Sequence, residues 1–265
     1  MVTSRSLLIG LGVIGAGSIG FGVASRFSPT KPLAHVQGRV PVLVELFTSE
    51  GCSSCPPADK LLMELQKNQP EDNALVIPLG EHVTYWNGAS WRDRFSMDQF
   101  DARQMSYVQS LHVGDGPYTP QMVVDGRSEF VGSDDASAAK AISSAASQPK
   151  APVDIKVKPM AGGDVAVTIS ASPLPNESGR DPEDVYLAVT ENNLASQVKG
   201  GENGGRRLNH TAVVRKLVRV GTGLPYRGET SVKLEPSWSR DNLSIVGFIQ
   251  RRQSRRIVGA GLAGL

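Results

Sequence analysis

Cys52 and Cys55 are the two cysteines of the 265-residue chain, and they stand together as Cys52-Ser-Ser-Cys55. An apolar, β-branched run at residues 40–47 precedes them and a helical pattern follows, so the pair sits where a strand hands over to a helix. A helix start presents unpaired N–H groups and a partial positive charge, which favour thiolate over thiol. The thiolate is the nucleophile of disulfide exchange, so Cys52 is expected to attack. Cys55, one helical turn on, is expected to resolve the mixed disulfide. Pro56 and Pro57 suit a first helical turn, whose N–H groups lack helical partners. Two other chemistries use the same residues. One is an inert structural disulfide, although so small a loop constrains the unfolded chain little. The other is a metal site. Zinc wants four N or S ligands, and there is no second Cys pair or clustered His pair. Copper(I), selected by soft thiolates, would use Cys52, Cys55 and His82.

Two further sets of residues bear on that chemistry. Glu45 lies inside the run VLVELF; a central strand covered on both faces would bury its carboxyl and raise its pKa towards neutrality, making it a proton donor or acceptor. The competing reading is a strand-end Glu paired with a Lys or Arg. His82, Tyr85, Trp86 and Trp91 follow a second apolar strand whose carboxyl end is expected near the cysteines. There Tyr85 and Trp86 could wall a peptide groove and His82 could exchange protons or join a metal site, unless the tryptophans simply cover the sheet. His35, His112 and His210 are scattered without ligand spacing.

The elements that must hold these residues fall into two textures. Strands are expected at residues 40–47, 73–79, 121–124 and 128–131, with a turn at Asp125-Gly126. Helices are expected after Cys52, over 97–111, and from a cap at Asp134 and Asp135 to about 147. Beyond QPKAPVD, about seven short strands without helical periodicity suggest an antiparallel sandwich. The expected domains are therefore 38–149 and 151–262. Ahead of them, residues 1–24 hold an apolar segment between Arg5 and Arg26, read as an export signal or an uncleaved anchor, and 25–37 a linker. Either way the folded part is expected outside the cytoplasm, periplasmic or secreted, and in contact with a membrane only through that anchor. With 28 Lys+Arg against 26 Asp+Glu, the balance gives no electrostatic reason to bind nucleic acid. GLGVIGAG lies in the export segment rather than after a strand, so no organic cofactor is implied.

The stretch PVLVELFTSEGCSSC resembles the first strand and active-site helix of the thioredoxin superfamily. Together with HVTYWN, SWRD, YTPQMVVDGR, FVGSD and GENGGRRLNHTAVVR, it makes the chain similar to an exported bacterial family of thioredoxin-like proteins known as domain of unknown function 1223. That resemblance implies an α/β thioredoxin-like domain, followed here by an all-β immunoglobulin-like sandwich. It also implies that Thr119-Pro120 is a cis bond facing the cysteines and offering backbone to a substrate strand. Glu45 would be the buried acid beneath the disulfide, though the linker from it to the first Cys is one residue longer than the pattern. The implied activity is thiol–disulfide exchange on an exported client protein, with a separate redox partner. A copper(I)-handling protein and a non-catalytic interaction module with a structural disulfide are the alternatives. GENGGRRLNH carries no assigned chemistry.

Overall fold

The computed structural model describes Met1, residues 38–174 and residues 181–265. The apolar export segment and the linker, apart from Met1, lie outside the described residues. In chain order the elements are β1 (Val40–Thr48), α1 (Pro56–Asn68), β2 (Ala74–His82), α2 (Asp98–Ser110), β3 (Gln121–Val124), β4 (Ser128–Val131), α3 (Asp135–Ala146), β5 (Val153–Pro159), β6 (Val165–Ala171), β7 (Glu183–Glu191), β8 (Leu194–Gln197), β9 (Arg207–His210), β10 (Val213–Thr222), β11 (Tyr226–Val232), β12 (Leu243–Arg251) and β13 (Ile257–Gly264).

The expectation of an α/β thioredoxin-like domain followed by an immunoglobulin-like sandwich is overturned. The described chain is mostly β, with three α-helices and one mixed sheet of eight strands in the order β13-β12-β7-β10-β2-β1-β3-β4. The join that sequence texture did not reveal is between β2 and β10. Val213 pairs in parallel with Gly80, and the Gly80 N–H donates to the carbonyl of Ala212 at 2.8 Å. A Cβ on Gly80 would lie 3.1 Å from the carbonyl oxygen of Thr211, so the glycine permits this close crossing. Strands expected to close a sandwich of their own thus extend the sheet that carries the cysteine helix. They satisfy an edge of β2 that would otherwise expose backbone donors and acceptors.

Period-2 alternation along β1 decides which side chains meet which helix. Val42, Val44 and Leu46 face α1 and α3, packing on Ala58, Leu62 and Leu65 of the first helix and on Ala138 and Ile142 of the other. Leu43 and Phe47 face the opposite way, onto Phe100 and Tyr107 of α2 and onto Val246, Phe248 and Ile257. The sheet curls enough that Ile257 at the start of β13 donates its N–H to Asp125 at the turn between β3 and β4 (2.8 Å). In the three-residue connection 125–127, φ is positive at both Asp125 (50°) and Gly126 (59°), the central positions of a turn closed by the Arg127 N–H on the Val124 carbonyl at 3.0 Å. A smaller sheet, β11-β6-β5, lays Val165, Val167 and Ile169 onto Leu187, Val189 and Ile245 of the large one. β8 and β9 form a separate hairpin.

Candidate functional site

Cys55 occupies the N-cap position of α1 without a side-chain cap bond, and Pro56 and Pro57 occupy first-turn positions where a missing N–H costs nothing. The carbonyl of Cys55 accepts from Ala58 (2.9 Å) and Asp59 (3.1 Å). Cys52 and Cys55 are joined as a disulfide with their Cα atoms 5.4 Å apart. Ser53 and Ser54 between them are exposed, whereas both cysteines are completely covered.

The second half of the chain reaches this turn. The tip of the β8–β9 hairpin, residues 198–206, is closed by Val198 and Arg206, whose backbone bond is 2.9 Å long. From this tip the Asn203 amide, itself buried, donates to the carbonyls of Glu50 (3.0 Å) and Cys52 (2.8 Å), and the Glu202 carboxylate accepts from the Ser53 N–H at 3.0 Å. The Ser53 hydroxyl first, and then its N–H, hold the Glu202 carboxyl below the usual carboxylate range. Arg206 steadies Asn203 by donating to its side-chain oxygen at 2.7 Å. The GENGGRRLNH stretch therefore lies on the cysteine turn. Its glycines and polar residues read as a loop, which hid β8 before it and β9, formed by its own last four residues.

Beneath the turn is a buried polar cluster. The His82 Nδ1 lies 2.6 Å from Asp93, whose carboxylate also accepts the N–H groups of Glu50 and Phe95 at 2.9 Å each. Burial opposes ionising Asp93, but His82 and these N–H groups outweigh it and bring the carboxyl down to about 2. The ring of His82 stacks edge-on against that of His210, centroids 4.9 Å apart. His210 in turn lies 3.3 Å from Glu50 and 3.9 Å from Asp59. Trp91 donates its indole N–H to Glu50 at 3.0 Å. Asp59 is pushed up to about 6, first by burial and then by the charges of Asp93 and Glu50, against the pull of His210 and Thr48. His210, scattered in sequence, is thus brought to His82. Among the described residues no group of three or more His, Cys, Asp or Glu is placed to hold a metal ion.

The other expected residues divide into those at the turn and those elsewhere. Thr119–Pro120 is a cis bond. The buried Pro120 approaches the first turn of α1, since a Cβ on Gly132 would meet Ala58 and Pro120 at 3.1 Å each. The Trp86 indole donates to the Thr119 hydroxyl at 2.7 Å, and the Trp86 backbone lies against Gly51, next to Cys52. Tyr85 bonds Gln104 at 3.1 Å; both Tyr85 and Trp86 are exposed. Glu45 goes elsewhere. It shares the α2 face of β1 with Leu43 and Phe47, where it meets Arg103 (2.5 Å) and the Tyr107 hydroxyl (2.5 Å). The structure does not bring it to Cys55, because a side chain one position from Val44 or Leu46 points away from α1.

Residues 43–250 match the family described as protein of unknown function (DUF1223), and the chain belongs to that family. No curated protein matches it. Among solved structures it is similar to protein AGR_C_4864 from Agrobacterium tumefaciens, with 26% identity over 86% of this chain and 96% of that one and a TM-score of 0.64. It is also similar to HBP35 of Porphyromonas gingivalis, at 16% identity over 86% of this chain and 76% of that one, with a TM-score of 0.60; that second likeness concerns the fold alone. Among the described residues no helix is long and apolar enough to cross a membrane.

Proposed function

We propose that the protein is an exported thiol–disulfide exchange protein acting on other proteins through Cys52 and Cys55. The observation that carries this reading is a disulfide closed at the start of α1, beside an exposed Trp86 tied to Thr119. In the reducing direction the Cys52 thiolate attacks a client disulfide, forming a mixed disulfide and releasing one client sulfur as a thiolate that takes up a proton. The Cys55 thiolate then attacks the Cys52 sulfur and releases the second client thiol. Two electrons pass from the pair to the client, and the reverse sequence oxidises a client dithiol. Tyr85, Trp86 and the Thr119–Pro120 segment receive the client. Proton exchange falls to Asp59, which lies one helical turn beyond Cys55 and titrates near neutrality; this takes over the role expected of Glu45. Because Cys52 is wholly covered, exchange requires the structure around the pair to open. Export is supported by the uncharged run between Arg5 and Arg26 and by a disulfide that a reducing cytoplasm would not maintain.

The test is the reduction potential of the Cys52–Cys55 pair, measured by equilibration with glutathione or dithiothreitol. A value above about −300 mV is expected of an exchanging pair, and one below it would identify a structural disulfide. Sequencing the amino terminus of the protein recovered from the periplasm or medium is expected to show residues 1–24 removed. Recovery from the cytoplasm with that segment intact would defeat the export reading.

A further inference from the structure

The hairpin tip has no part in the exchange steps above, yet it makes three hydrogen bonds to residues 50–53. Two come from Asn203, a fully buried side chain that spends both amide hydrogens on the carbonyls of Glu50 and Cys52. The third puts the ionised Glu202 carboxylate on the Ser53 N–H. That N–H belongs to the residue after Cys52, and it joins the Ser54 hydroxyl, 3.4 Å from the Cys52 sulfur, as a donor at this turn. Pro56 and Pro57 have none, and the Cys55 N–H already donates to the Cys52 carbonyl at 3.3 Å. A thiolate on Cys52 draws its stabilisation from donors of this kind, and a nearby negative charge opposes it.

We propose that Glu202 and Asn203 are positioning residues of the disulfide site: Asn203 anchors the tip over Cys52, and Glu202 sets a negative charge on the donor that would otherwise stabilise the Cys52 thiolate. The tip thereby restrains the reactivity of Cys52 until a client displaces it. This rests on the thiol–disulfide reading above but makes a separate claim about the reduced thiol. The other titratable or charged groups around the turn are Glu50, Asp59 on α1, His82 and Asp93 in the buried cluster, His210 on β9 and Arg206 on the tip itself. None of them contacts the Ser53 N–H, so the effect of Glu202 is separable.

The experiment is the rate of alkylation of Cys52 by iodoacetamide across pH, in the reduced full chain, with modification sites mapped by mass. The midpoint of the profile reports the thiol pKa and its plateau reports access. Glu202→Gln keeps an acceptor for Ser53 but removes the charge. It is expected to lower the midpoint by roughly half to one pH unit, an effect that shrinks in high salt because Glu202 is exposed. Asn203→Ala frees the tip and is expected to raise the plateau several-fold, with its midpoint lowered alongside. Adding Glu202→Gln to Asn203→Ala should then shift the midpoint little further. A midpoint unchanged or raised in Glu202→Gln overturns the role of Glu202, and an unchanged plateau in Asn203→Ala overturns the anchor. Either result leaves the exchange reading intact. That reading fails instead if the potential lies in the structural range, whatever the alkylation profile shows.

Discussion

Replacing Arg103 by methionine is expected to cost about 3–5 kcal/mol of folding stability, the loss typical of removing one partner from a buried ion pair. Arg103 is buried between the two halves of the chain. Its Nε meets Glu45 of β1 at 2.5 Å and Glu81 of β2 at 3.4 Å, while its other nitrogens donate to Gln250 of β12 and to the Tyr107 hydroxyl at 3.0 Å each. Its guanidinium also lies over the rings of Phe248 (5.2 Å) and Tyr186 (5.7 Å). Burial, and then the charge of Glu45, keep the Glu81 carboxyl well above its ordinary range despite Arg103. The cation therefore chiefly balances Glu45. Without it Glu45 is a buried charge lacking a counterion, and a domain commonly has only about 5–15 kcal/mol to lose. Arg103→Met combined with Glu45→Leu is expected to recover most of the loss, because removing both charges leaves no unpaired ion. Tyr107 and Gln250 retain their own bond of 2.9 Å. Urea unfolding of the two variants and the parent decides the matter. A single variant within about 1 kcal/mol of the parent, or a double variant no better than the single, would show that Arg103 is not the centre of this network.

Arg103 also marks where the sequence stops being readable. The order of helices and strands through residue 146 follows from hydrophobic period, the turn at Asp125-Gly126 and the cap at Asp134, whose carboxylate accepts from the Ser137 N–H at 3.0 Å. The strand-to-helix placement of the cysteines follows from the same local patterns. Partner choice between distant strands does not. Nothing around Gly80 or Val213 indicates that β2 and β10 pair, and a run of short strands reads equally well as a separate sandwich. In α2 the buried face includes Arg103, Gln104 and Tyr107 besides Phe100 and Val108, so the polar members of that face read as solvent-exposed. Glu45 was recognisable as a buried acid because it interrupts an apolar strand. Its partner was not, since the arginine lies 58 residues away. The role of GENGGRRLNH was hidden for a similar reason: Asn203 meets Cys52 across 151 residues, and only the folded chain brings them together.

Replacing Asp59 by asparagine is expected to change how stability depends on pH, by about 3 kcal/mol between pH 4 and pH 7. The Asp59 carboxyl titrates near 6 in the folded protein against an ordinary value of 3.8, with burial the leading cause. Between those values the folded state holds a proton that the unfolded state has released, so stability falls as pH rises through the window and levels off above it. A shift of about two units is worth roughly 3 kcal/mol. Asparagine does not titrate. Variant and parent should therefore respond alike up to about pH 4, after which the variant gains on the parent until about pH 7. Asp93 has the opposite sign: its carboxyl, held at about 2, contributes stability above pH 4 that is lost as pH falls towards 2. Asp93 remains in both proteins, so its contribution cancels in the difference, whereas a comparison of either protein with itself across pH would mix the two. Urea unfolding of the oxidised proteins at pH 4, 5, 6 and 7 gives that difference directly. If it stays constant across the four values, Asp59 does not hold a raised pKa beneath the disulfide, and the proton exchange assigned to it loses its physical basis. If it grows as expected while resolution of a trapped mixed disulfide keeps the parental rate, the raised carboxyl is a cost of burying α1 against His210 and Glu50 rather than a part of the exchange chemistry.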